Sequence, residues 1–122
     1  MEECADFIGF LVIISGGLHA SYQEVLDEWQ PEEPPVTTTF AALGYRIAED
    51  FSSADIDVNR RVFSLIEEAM GSNNQELITA VATGLIEALA TRVAHQEDLW
   101  ERVVPFLGPR TRIHAETWLA PL

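Results

Sequence analysis

The run VNRRVFSLIEEAMGSNNQELITAVATGLIEAL, residues 58–89, decides the fold. Val58, Val62, Leu65, Ile66, Ala69 and Met70 recur at helical spacing and stop at Gly71. Leu77, Ile78, Val81, Leu85, Ile86 and Leu89 resume the same period. Between them Ser72-Asn73-Asn74 forms a short turn with capping chemistry, and Glu76 follows Asn73 at capping-box distance. Two long amphipathic segments joined by so short a turn make an antiparallel helical hairpin. Gly84 falls inside the second segment, where glycine costs about 1 kcal/mol relative to alanine. Close packing of a neighbouring helix would justify it.

The same period extends outward in both directions. Asp55 or Asp57 starts the first helix of the pair, and Ser52-Ser53 breaks the helix before it. That earlier helix places Phe40, Leu43, Ile47 and Phe51 on one face, with Thr37, Thr38 and Thr39 as candidate caps. Before it, Leu18, Tyr22, Val25, Leu26 and Trp29 form a stripe that ends at Pro31, Pro34 and Pro35. Ser15-Gly16-Gly17 ends the first element, residues 7–14. Length alone does not tell helix from buried strand there, and the helical neighbours favour a helix. Downstream, Leu99, Trp100, Val103 and Val104 lie on a helix that Pro105 bends or ends. Ile113, Trp118 and Leu119 line a short final helix, stopped by Pro121. The expectation is an all-α chain with a single helical domain over residues 1–122. About six to seven helices would form an irregular bundle or a short solenoid-like stack. The letters show no fixed-period repeat.

Composition narrows the function classes. The 122 residues suit one domain, and 48% hydrophobic content suffices for a core. Twenty acids against seven bases give a net charge of −13. Binding nucleic acid through its phosphates needs a basic face, so most of that class is ruled out, and docking on anionic membranes is disfavoured. The apolar run at residues 7–14 is far short of the roughly 20 residues that span a bilayer. Glu2, Glu3 and Asp6 precede it where a secretory signal carries bases. The expected compartment is cytoplasmic. Cys4 is the single cysteine, so no internal disulfide or multi-cysteine zinc site is available.

Catalytic constellations are thin. His19, His95 and His114 are the three histidines. His95-Gln96-Glu97-Asp98 lacks the spacing that puts two imidazoles on one helix face, and reads as a polar helix start. Cys4 has acidic neighbours, which oppose a reactive thiolate. Asp55 and Asp57 lack the remaining ligands of a calcium loop. Glu67-Glu68 occupy consecutive helix positions and face different ways. The expectation is a non-enzyme with no cofactor and no resident metal.

An acidic surface remains. Residues 1–45 hold eight acids and no base, and every base further on is an arginine. Glu24, Asp27 and Glu28 share a helix face, and Glu32 and Glu33 extend that patch into the proline loop. Glu49, Asp50, Asp55 and Asp57 form a second patch around Ser52-Ser53. The bland reading is solubility. The functional one is a face that attracts a basic partner and speeds its association, since like charge gains a fold nothing in stability. Tyr22, Trp29 and Phe40 lie near these acids as anchors or, for at least two of them, as core.

Val62-Phe63-Ser64-Leu65-Ile66-Glu67-Glu68-Ala69, the stretch from Glu76 to Leu89, and Phe106-Leu107-Gly108-Pro109-Arg110 resemble a small helical bacterial family similar to polymorphic-toxin immunity proteins. The likeness covers about half of the chain, and the N-terminal half departs most. The resemblance implies a helical binder without catalytic residues. Its partner would be a cognate toxin with a basic face, a nuclease-type effector. Glu24, Asp27, Glu28, Glu32, Glu33, Glu49, Asp50, Asp55 and Asp57 would occlude that toxin's active site in place of phosphates. The alternatives are a nucleic-acid-mimic inhibitor of a phage or defence-system protein, a small metal-dependent enzyme using His95, Glu97 or His114, and a structural subunit. Direct nucleic-acid and membrane binding are not expected.

Overall fold

The computed structural model describes residues 2–121, leaving aside the side chains of Glu2 and Glu97. Seven helices follow one another among them: α1 (Glu2–Ile14), α2 (Gly16–Trp29), α3 (Val36–Asp50), α4 (Ile56–Met70), α5 (Gln75–Ala94), α6 (Glu97–Val103) and α7 (Pro109–Leu119). The protein is all-α, an irregular bundle arranged around α5.

The first element is a helix. Cys4, Phe7 and Leu11 are buried at helical spacing, and Phe7 stacks on Phe40 of α3 with ring centroids 5.7 Å apart. Ser15 alone separates α1 from α2, and its hydroxyl accepts the Leu18 N–H at 3.1 Å. Gly16 and Gly17 therefore open α2 instead of linking it to α1. A side chain at position 17 would run into the Asp50 carboxylate.

Two of the expected caps shift by a residue or more. α3 begins at Val36, directly after Pro35, and Thr37, Thr38 and Thr39 lie inside it without capping. Pro35 holds Pro34 out of the helical region, and its own missing N–H costs nothing at a helix start. On α5 the cap is Asn74, not Asn73: its side chain accepts the Leu77 N–H at 2.9 Å. The Ser72 hydroxyl takes the Asn74 N–H at 3.0 Å, which sets that register. On α4, Asp55 is the cap and accepts from the Asp57 N–H at 2.8 Å.

α5 is the axis of the molecule. Val81, Leu85, Ile86 and Val93 are fully buried along it. By length and composition this 20-residue helix could cross a membrane, yet 61% of its most apolar window is buried inside the bundle. It follows α4 after a short turn and touches it, but its most extensive neighbour is α3. The two helices meet at a pair of glycines. A Cβ on Gly84 would lie 2.7 Å from the Phe40 Cβ, and one on Gly44 would press into the Leu85 carbonyl oxygen. Over Ala80–Ile86, around this crossing, α5 widens into a π-helix, and the Glu87 N–H reaches back to the Ala82 carbonyl.

The far end is closed by aromatics and by a carboxylate. Phe51, Phe63 and Phe106 pack edge-on or tilted at 5.2–6.2 Å between centroids. Phe106 comes from a 3₁₀ turn, Val104–Phe106, that ends α6 at Pro105. Gly108 starts α7 and brings no side chain to cap it. Glu67 of α4 does so from across the bundle. Its carboxylate accepts the backbone N–H groups of Arg110 at 3.1 Å and Thr111 at 3.0 Å, and the Thr111 hydroxyl at 2.9 Å. Burial alone would raise this carboxyl, but the hydrogen bonds from Thr111 and Arg110 outweigh it and leave the group below its ordinary value.

Glu67→Gln keeps the shape and loses acceptors for these donors. It should destabilise the fold by about 1–2 kcal/mol at neutral pH. Folding lowers this carboxyl, so its contribution is full above the unfolded-state value of about 4.3 and is lost as pH falls through the folded value. Urea unfolding of both proteins should therefore show the full gap at pH 7 and a gap that shrinks progressively as the pH falls below the unfolded-state value.

Candidate protein-binding surface

α2 faces the bundle with Leu18, Ser21 and Val25, and Tyr22 is partly buried against the core. That stripe turns Glu24, Asp27 and Glu28 to solvent. Glu32 and Glu33 are exposed in the proline loop that follows. Among the described residues none of these five carboxylates pairs with an arginine; Asp27 accepts only a long bond from Gln30, at 3.4 Å. Trp29 is 37% exposed at the end of the same helix, whereas Phe40 is fully buried. Tyr22 and Phe40 belong to the core, and Trp29 is the aromatic left beside the acids.

The second acidic patch is different in kind. Glu49 meets Arg92 at 2.7 Å, Asp50 meets Arg46 at 3.0 Å and Asp57 meets Arg60 at 3.6 Å. Asp55 is occupied as the cap of α4. The nine acids thus do not form one equivalent surface. The α2 set stands open, and the set around residue 52 is largely matched from within the chain.

The arginines explain this division. Arg110 binds Glu67 and Arg112 binds Glu116. Arg102 donates to the Ser52 hydroxyl and lies over the Phe51 ring, and Arg92 lies over the Tyr45 ring at 4.8 Å. Arg61 makes neither an ion pair nor a side-chain hydrogen bond among the described residues. Six of the seven bases are engaged inside the molecule, so little positive charge is left to balance α2.

The histidines are scattered. His114 Nε2 and Glu87 Oε2 are 2.9 Å apart, joining α7 to α5. His95 is exposed at the end of α5, His19 is exposed on α2, and the side chain of Glu97 lies outside the described residues. Among the described residues, no group of three or more His, Cys, Asp or Glu is placed to hold a metal ion. Cys4 is 2% exposed, and burial pushes its thiol up.

The apolar run at residues 7–14, read as buried, is buried on one side only. Phe10 is 57% and Ile13 81% exposed. With Ile14 they line a groove of about 430 Å³ against Arg60, Arg61 and Leu65 of α4. The groove continues past Phe10 and Leu65 to Glu3, Asp6 and Glu68. The signal was present in the letters: Phe10 and Ile13 fall off the Cys4, Phe7, Leu11 stripe, so one buried face does not account for them.

In comparison with known proteins, residues 15–119 match the family DUF7674, described as a domain of unknown function, and the chain belongs to that family. No curated protein and no solved structure matches it.

Proposed function

We propose that this member of the DUF7674 family is an immunity protein, binding a basic bacterial toxin of the nuclease type and occluding its active site. The observation that carries the reading is the charge division. Arginines are tied to internal partners, while Glu24, Asp27, Glu28, Glu32 and Glu33 are exposed and unmatched on one helix and its loop. A toxin groove that grips phosphates presents arginines and lysines at phosphate spacing. Carboxylates on α2 repeat every three or four residues on one face and meet such a groove as a rigid row. Trp29 at the end of the row supplies apolar contact, which the charges alone do not. Long-range attraction between the net charge of −13 and a cationic toxin speeds capture before the toxin reaches nucleic acid. Inhibition by occlusion asks no residue of this chain to be catalytic.

The test begins with the gene immediately upstream. Its product, if it is a toxin with a variable C-terminal domain, is expressed with and without this chain. A stable complex and loss of nuclease activity are expected. An upstream product that this chain neither binds nor inhibits would sink the reading.

A further inference from the structure

α1 buries one face and leaves a second apolar face uncovered. A helix that is apolar on more than one side is normally covered on more than one side. α1 and α4 run antiparallel along the groove: Ile13 and Ile14 sit beside Arg60 and Arg61, and Glu3 and Asp6 sit beside Glu68. The groove therefore has a basic end and an acidic end, with Phe10 and Leu65 common to both halves and hence at its middle.

We propose that this groove is the interface of a two-fold homodimer, in which the basic end of one copy meets the acidic end of the other across Phe10 and Leu65. The charge order selects this occupant. A two-fold axis lying in the interface and crossing the groove reverses its direction in the second copy. Arg61 of each copy then faces Glu68 of the other, the exposed Phe10 side chains meet at the centre, and Ile13 of each copy packs towards the acidic end of the other. A foreign partner needs the opposite charge order on its own surface; a second copy has it by rotation. Arg61, without an ion pair among the described residues, gains one in the dimer. Two chains of net charge −13 repel, so association is favoured where arginine reaches the surface, and this groove holds two of the seven. Its residues are separate from the α2 acids, so both surfaces serve at once.

Sedimentation velocity of the full chain, at about 0.15 M salt and rising micromolar concentration, reads the proposal. The expected mass is twice 13.6 kDa. Ile13→Glu removes an apolar contact and sets a carboxylate against the partner's acidic end, and should raise the dimer dissociation constant by about 30-fold or more, with the helical circular dichroism unchanged because the position is exposed. Arg61→Glu and Glu68→Arg should each weaken self-association by about tenfold. Mixed in equal amounts they should pair with each other, since every contact is then opposite in sign. A monomer throughout, a dimer indifferent to Ile13→Glu, or a mixture that stays monomeric each overturns the proposal.

Discussion

Replacing Gly44 by alanine is expected to cost about 2–3 kcal/mol of stability, although alanine is the better helix former. The new methyl group would press into the Leu85 carbonyl oxygen and lie 3.2 Å from the Ala88 Cβ. A side chain can change rotamer to make room, but a backbone carbonyl in the middle of α5 cannot. Relief requires α3 and α5 to move apart, and that loosens Phe40, Leu43 and Leu85, all fully buried at the crossing. The propensity gain of roughly 1 kcal/mol offsets only part of this. Gly9 provides the control. It also lies inside a helix, but a Cβ there meets nothing within 4 Å. Gly9→Ala should stabilise by about 0.5–1 kcal/mol. Opposite signs from one chemical change, read as urea midpoints at constant slope, would establish the glycine crossing as the centre of the core. Equal effects at both sites would remove it.

The helices were legible because their stripes are regular. Val62, Leu65, Ile66 and Ala69, or Phe40, Leu43 and Ile47, have few other ways to bury together. Gly84 also announced itself, since a mid-helix glycine needs a packing reason, and the Phe40 Cβ provides one. Its counterpart Gly44 is mid-helix as well, but only the fold reveals that the Leu85 carbonyl is what it makes room for. The cap of α7 was hidden for the same reason. Glu67 and Arg110 are 43 positions apart, and Glu67 reads locally as half of a solvated acidic pair. The acidic site was legible as a composition and not as a surface. Counting charges groups Glu49, Asp50 and Asp57 with the α2 acids. Distances separate them, because Arg92 and Arg46 arrive from elsewhere or from the next turn to occupy two of the three.

That separation fixes where binding should fail. The triple reversal Glu24→Lys, Asp27→Lys, Glu28→Lys should weaken toxin binding by about 100-fold or more, or roughly 3 kcal/mol. Exposed acids without internal partners contribute through attraction to the partner, so reversing them removes attraction and adds repulsion together. The fold should be indifferent. Like charges at these spacings oppose an isolated helix, and lysines at the same three positions merely exchange one repulsion for another. Binding that depends on many ion pairs falls steeply with added salt, and the variant should show a shallower fall because fewer pairs remain to be screened. Net charge changes too, so a second variant must change it equally elsewhere. Glu76→Lys, Asp98→Lys, Glu101→Lys does this at exposed positions on α5 and α6, outside the α2 surface. If steering by total charge were the whole effect, both variants would slow association alike and leave dissociation untouched. If α2 is the contact, only the first should shorten the lifetime of the complex, and titration calorimetry with stopped-flow association will separate the two. Equal losses in both variants would move the binding face away from α2.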